Sequence, residues 1–404
     1  MPAVMTVLVV GTADTKGAEL AYIAGVVRDR GLRAVVVDVG TTAHPPRPDR
    51  AADDVGPDVV ASHHPDGADA VRSDDRGQAV GAMAVALEAY VGSRDDIAGI
   101  IGIGGSGGTA LITPAMRALP IGVPKVMVST VASGQVANYV GAADIAMMYS
   151  VTDVAGLNRI SRVVLGNAAN AVAGMAAHPV PASAADRPAI GLTMFGVTTP
   201  LVTQLVEAVG DRYDPLVFHA TGTGGRSMEK LVASGHVTAL LDMTTTEVAD
   251  LVVGGNFPAG PDRLDVVAAT KVPYVGSCGA LDMVNFGARN SVPAQFADRL
   301  FHVHNAEITL MRTTVAENVA FGEFIAAKLN ACAGPVRFLL PEGGVSLLDA
   351  PGQAFWDPAA DAALFDTIER GVEQTEHRRV ERVAHHINDP RFVAAALRAF
   401  EEVT

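Results

Sequence analysis

The stretch that most constrains this chain is Ile97–Thr109, an apolar run that passes into Gly102, Gly104, Gly105, Gly107 and Gly108. Ile97 to Ile103 reads as a buried strand. After Thr109 the apolar residues Leu111, Ile112, Ala115, Met116 and Leu119 follow a helical period. A strand, a glycine turn and a helix together aim backbone N–H groups and a helix N-terminus at an anion. Glycine is expected there for close approach and for φ > 0, with Ser106 and Thr109 adding hydroxyl donors. The run is not a Walker A loop, which needs Gly-Lys-Ser/Thr. Nor is it a G-x-G-x-x-G fingerprint with an acidic partner about 20 residues on. A tight turn without a ligand is the alternative, although five glycines exceed what a plain turn needs.

A chain of 404 residues is long enough for two domains. With 49% hydrophobic and 18% charged residues it has the composition of a compact α/β protein. Its formal net charge of −14 repels phosphate backbones and anionic lipid, so neither nucleic acid nor a membrane surface is an expected partner. Cys278 and Cys332 are the only cysteines, too few for a disulfide framework or a metal cluster. A reducing cytoplasm is expected. Met1 to Val10 lacks the basic start of a signal peptide, and no apolar run reaches membrane-spanning length.

Strands are expected at Thr6–Gly11, Arg33–Gly40, Ile97–Ile103, Lys125–Thr130 and Ile145–Ser150. Helices are expected at Ala18–Arg30, Gln78–Tyr90, near Gln135–Val140, and at Gly156–Ala177. Thr41–Arg76, rich in proline, aspartate and histidine, is a long surface excursion between them. His178–Pro188 reads as a linker. Beyond it, strands are expected near Ala189–Gly196, Pro215–Ala220, Val237–Asp242, Pro273–Ser277, Val336–Pro341 and Arg379–His386. Helices are expected at Val315–Ala331, Pro358–Glu373 and Arg391–Val403. The fold class is therefore α/β, with two doubly wound, Rossmann-like domains at 1–180 and 187–404 and facing strand C-termini. Ligands bind outside such strand ends. The halves also echo one another. Gly104–Gly108 matches Thr221–Gly225, Ser129-Thr130 matches Thr244–Thr246, and Thr12–Gly17 matches Val197–Pro200. Convergent turn chemistry is the alternative.

Six segments together carry a resemblance over the whole chain: Gly11–Gly17 (GTADTKG), Gly104–Thr109, Ser129–Gly134, Thr221–Gly225, Gly276–Gly287 and His386–Pro390 (HINDP). The sequence resembles the family of the ATP-binding domain of the plant tomato mosaic virus resistance protein, an inhibitor of viral RNA replication. Free-standing chains in bacteria and fungi are similar. The resemblance implies two Rossmann-like subdomains, ATP binding in the first, and a homodimer. It supplies no reaction, and no counterpart of the plant protein's C-terminal barrel domain is expected here.

In the first half, Lys16 follows the first strand in a hydroxyl-rich loop. With Gly11, Thr12 and Thr15 it suits a phosphate, and a lysine at a helix N-terminus favours an anion nearby. Asp14 is read either as a Mg²⁺ contact or as a helix N-cap. Gly104, Gly105, Ser106, Gly107, Gly108 and Thr109 form the main cradle, and Ser129, Thr130 and Ser133 reach the same crevice. In the second half, Thr198, Thr199, Gly222, Gly224, Gly225 and Arg226, with Gly343 and Gly344, suit a small anionic metabolite. Glu342 is the acid/base candidate. Cys278 is a nucleophile candidate if a histidine or helix dipole lowers its pKa; otherwise it is a small buried residue. The expected function is an ATP-binding enzyme, with Mg²⁺, acting on a small anionic metabolite. A nucleotide-binding regulatory protein without turnover is the alternative. A NAD-dependent oxidoreductase also stays open, because Asp38 ends the second strand, where a ribose ligand sits.

Overall fold

Val7 to Val10 and Val35 to Val37 are buried on successive residues, so both strand faces are covered. That is the signature of parallel strands flanked by helices. The computed structural model describes residues 5–42, 50–181, 183 and 186–404. Parts of the expected linker (182, 184 and 185) and of the excursion (43–49), with residues 1–4, lie outside the described residues. The chain divides into two compact units, Met1–Ala182 and Ser183–Thr404.

The first unit runs β1 (Thr6–Gly11), α1 (Ala13–Asp29), β2 (Arg33–Asp38), α2 (Pro57–Ala61), α3 (Arg76–Gly92), β3 (Ile97–Gly104), α4 (Ser106–Ala118), β4 (Lys125–Ser129), α5 (Ala137–Val140), β5 (Ala146–Tyr149) and α6 (Arg159–Ala177). Its five strands are parallel in the order β2-β1-β3-β4-β5. One face packs Leu8, Val10 and Ile100 against α3 and α4, through Met83, Leu87, Ile112 and Met116. The other packs Val7, Val9 and Ile101 against α1 and α6, through Leu20, Ile23, Leu165 and Val172. The strand order reverses direction between β1 and β3, which opens a crevice at their C-terminal ends.

The second unit runs β6 (Ala189–Met194), α7 (Thr199–Val209), β7 (Asp214–His219), α8 (Thr223–Ala233), β8 (Ala239–Thr244), α9 (Thr246–Val253), α10 (Asp265–Thr270), β9 (Tyr274–Gly279), β10 (Met283–Phe286), β11 (Phe301–Asn305), β12 (Ile308–Arg312), α11 (Val315–Ala331), β13 (Val336–Pro341), α12 (Pro358–Gly371), β14 (Arg378–Val383) and α13 (Pro390–Val403). Its main sheet is parallel in the order β14-β13-β9-β8-β6-β7. Numbered within the unit, that is the order of the first sheet with one strand added. The two units are Rossmann-like repeats of one topology.

The topology corrects the proposed pairing of the halves. The Gly104–Gly108 run follows a central strand beside β1, whereas Thr221–Gly225 follows β7, the edge strand equivalent to β2. A three-stranded antiparallel sheet, β10-β12-β11, was not expected from the sequence. Its strands are only four or five residues long, and residues 287–300 separate β10 from β11, so they carry too little periodicity to read.

Candidate functional site

The crevice beside β1 and β3 is a cleft of about 600 Å³. The loop after β1 supplies Thr12, Asp14, Thr15 and Lys16, and the first turn of α4 supplies Gly105, Ser106, Gly107 and Gly108. Val39, Thr41 and Thr42 come from beyond β2, and Ser73, Asp74, Arg76, Ala79 and Val80 from the start of α3. The volume suits a nucleotide-sized ligand.

The glycines sort into two kinds. A Cβ on Gly102 would lie 2.8 Å from Ile112 and Met127, and one on Gly104 would lie 2.8 Å from the Gly108 Cα. Those two are required so that α4 can pack on β3. A Cβ on Gly105 or Gly108 would meet only ordinary contacts, at 3.6 and 3.5 Å, and one on Gly107 would meet nothing within 4 Å. None of the five has positive φ, so left-handed backbone is not the reason for the run. A helical glycine costs about 0.5–1 kcal/mol relative to alanine, and at 107 the chain's own packing gives nothing back.

No side chain caps α4; its N-cap is Gly105. In α3, α6, α11, α12 and α13 the N-cap side chain accepts from first-turn amides, whereas α1, α7, α8 and α9 share with α4 the lack of such a cap. The first-turn N–H groups of α4 therefore carry the positive end of the helix dipole into the cleft.

The other first-half candidates divide. Gly11 lies behind α1, where a Cβ would sit 3.0 Å from Leu20. Thr109 and Ser129 are buried and bond to each other at 2.6 Å, beneath the loop and away from the cleft. Thr130 closes the loop by donating its amide to the Gly104 carbonyl, and Ser133 is exposed on the next turn. Asp14 is not the N-cap; Thr12 holds that position and Asp14 lies exposed in the first turn. Lys16 lines the cleft, but its Nζ also donates to the Val154 carbonyl at 2.6 Å, and its backbone kinks α1. Asp38 is 7% exposed, and its Oδ1 accepts from the amides of Ala13 and Gly40 at 2.9 Å each. It is turned into the protein, which removes the observation that kept a NAD ribose contact open.

The second-half candidates are mostly structural. A Cβ on Gly222 would lie 2.2 Å from the Pro258 carbonyl, on Gly224 1.9 Å from the His219 carbonyl, and on Gly225 1.9 Å from Glu247 Oε1. The anion on this loop is the chain's own Glu247, which accepts from the Gly222 amide at 2.7 Å. Glu247 is fully buried and also accepts from Arg263 Nε at 2.6 Å. Arg263 further pairs with Asp242 at 2.6 Å and Glu229 at 2.7 Å. The expected anion cradle is thus filled from within. Exposed Arg226 donates to the carbonyl of Gly222, the N-cap of its own helix.

Thr198 is buried against Thr244 at 2.8 Å, while Thr199 is exposed. Gly343 and Gly344 serve close packing: their Cβ atoms would lie 2.4 Å from the His386 amide and 1.8 Å from the Asp349 carbonyl. Cys278 is fully buried in the core, and burial, then the Asp361 charge, pushes its thiol well up. It is not an activated nucleophile. Glu342 is exposed and pairs with Arg382 at 3.5 Å on the edge strand. Sequence reasoning missed Thr41, Thr42, Ser73, Asp74 and Arg76, because their place in the cleft depends on how the excursion folds back.

Family models match both halves of the chain. Residues 5–181 match the N-terminal domain and residues 187–404 the C-terminal domain of an uncharacterised protein family, UPF0261. A UPF0261 protein of Rhizobium meliloti is 56% identical over 398 residues, covering 98% of both chains. One from Clostridium tetani is 43% identical, covering 96% of both. The ToMV resistance protein Tm-1(GCR237) of Solanum lycopersicum is 43% identical over 98% of this chain, which spans 56% of the tomato protein. Among the described residues no helix is long and apolar enough to cross a membrane. Matched over both halves by family models, and over nearly its full length by a 56% identical relative, this chain belongs to the uncharacterised protein family UPF0261.

Proposed function

We propose that the first unit binds a nucleotide, with ATP as the favoured ligand, its phosphates seated on the first turn of α4. One observation carries this reading: Gly107 opens onto the cleft at an uncapped helix N-terminus, and nothing in the chain's own packing needs a glycine there. Lys16 adds positive charge, and Asp14 and Asp74 line the same cleft. Mg²⁺ is usually held by one or two carboxylates plus the substrate's phosphates, so this donor set fits. Bound there, the ion would offset phosphate charge.

Turnover has weaker support than binding. The nucleophile candidate Cys278 is buried, Glu342 sits in a surface ion pair, and the loop meant for a second anionic substrate holds Glu247. A nucleotide-binding regulatory protein is therefore favoured over an enzyme acting on a small anionic metabolite. The name of the tomato relative, a resistance protein, fits an interaction role. Homodimer assembly belongs to the same proposal. So does a cytoplasmic location, for which two free, buried cysteines are suitable.

ATP with Mg²⁺ should raise the melting temperature, and NAD should not. At about 100 times Kd the gain is roughly 2.7 kcal/mol. Equal stabilisation by NAD would reverse the order of the readings. Lys16→Ala should weaken ATP more than AMP, since one charge-assisted contact is worth about 1.5–3 kcal/mol. It should also cost a little stability, through the lost bond to Val154. Calorimetric titration of both nucleotides checks this; an equal loss for the two would move Lys16 away from the terminal phosphates.

A further inference from the structure

Arg76 is the first residue of α3, at the end of the excursion that leaves β2, and its side chain lines the cleft. It is exposed and has no hydrogen bond or ion pair among the described residues. Asp14 and Asp74 share the cleft lining, but neither pairs with Arg76 among the described residues. Asp75 is turned to its own helix, accepting from the Gln78 amide at 2.9 Å. A cation in the first turn of a helix is disfavoured by the dipole, and the chain as a whole is acidic, with a formal net charge of −14. Lys16, the fourth residue of α1, lines the same cleft and donates to the Val154 carbonyl. Two helices thus each bring a cation to one cleft.

The setting of Arg76 adds to this. Thr41, Thr42 and Ser73 bring hydroxyls to the same lining. Ala79, Val80 and Leu111 add apolar surface from α3 and α4. Those two helices lie on one face of the sheet, so their first turns open on the same crevice. The lining therefore offers two anion seats on different elements, with apolar surface for an organic group.

We infer that Arg76 is a second anion-binding residue of this cleft, and that the ligand class is a nucleoside di- or triphosphate rather than a monophosphate. The first seat is the α4 amides, and the second is Arg76 with its neighbouring hydroxyls. This inference rests on the nucleotide reading above.

The test is calorimetric titration of the full chain with AMP, ADP and ATP in the presence of Mg²⁺, on wild type, Arg76→Gln and Arg76→Lys. Wild type should prefer ADP and ATP to AMP. Arg76→Gln should weaken ATP by about ten- to a hundredfold and leave AMP within a few-fold. Arg76→Lys should recover part of the loss, because charge is kept but the bidentate fork is not. Without ligand, Arg76→Gln should melt at or slightly above wild type, since Arg76 has no hydrogen bond or ion pair among the described residues and its charge opposes the α3 dipole. Unchanged ATP affinity in Arg76→Gln overturns the inference while the nucleotide reading stands. An equal loss for AMP and ATP also overturns it, by placing Arg76 at the nucleoside end. If wild type binds none of the three, the nucleotide reading fails and this inference with it.

Discussion

Valine at position 107 is expected to leave the protein folded and remove nucleotide binding, whereas valine at position 225 is expected to destabilise the second unit strongly. Both glycines lie in the first turn of a helix that follows a parallel strand, and in the sequence they look interchangeable. Apart from its chain neighbours and its own helix backbone, no atom of the described residues lies within 4 Å of a Cβ at Gly107, and valine is a better helix residue than glycine. The melting temperature of Gly107→Val should match wild type or exceed it. Its methyl groups would stand where a phosphate must approach the α4 amides, so ATP affinity should fall by at least about a hundredfold, the value of two lost charge-assisted contacts.

At Gly225 the same Cβ would overlap the carboxylate of buried Glu247. Displacing Glu247 breaks its bonds to Arg263 and to the Gly222 amide. Disrupting a buried charge network costs about 3–5 kcal/mol, a large part of a typical 5–15 kcal/mol stability. Circular dichroism melts and ATP titrations of the two variants separate the outcomes. A folded Gly107→Val protein with normal ATP affinity would falsify the proposed site.

Stability should fall as pH rises from about 5 to about 8.5, because the second unit buries more carboxylates than it can neutralise. Asp282, Asp349 and Asp361 surround one guanidinium. Arg312 lies 3.0 Å from Asp361 and 3.7 Å from Asp349, while Ser346 donates to Asp282 at 2.8 Å. One oxygen of each carboxylate has no donor among the described residues. Burial, then the Asp349 charge, pushes Asp361 up to about 8 and Asp282 up to about 7. Burial also raises Asp349, and raises Asp250 to about 7.

A carboxyl whose folded pKa exceeds its unfolded value of about 4 binds more protons when folded. Its contribution is complete below pH 4 and is lost as pH rises through 7 to 8. A fall in melting temperature on the order of 10 °C is expected over that range. Asp361→Asn should flatten the profile and stabilise the protein at pH 8.5. Its amide oxygen can still accept from Arg312, and its NH₂ carries no charge to oppose that of Asp349. A profile that is level from pH 5 to 8.5 in wild type would show that the three carboxyls ionise without cost.

The sequence alone determined the alternation of strands and helices, the division into two α/β halves, and the first glycine loop as a ligand seat worth testing. Those features are local. A run such as Val7–Val10 is buried on both faces wherever a parallel sheet forms, and Leu20, Ile23, Ala24 and Val27 mark one helix face by spacing alone. Only the tertiary structure decided which glycines serve the chain and which face open space, because the answer depends on atoms far away in sequence. Glu247 fills the loop at 222–225 from a different helix, and Asp38 caps α1 from the next strand. The same holds for Arg76. Reading it as a cleft residue requires knowing that the start of α3 lies beside the loop after β1 and the first turn of α4, and that placement is set by packing of α3 on the sheet, not by the residues next to Arg76.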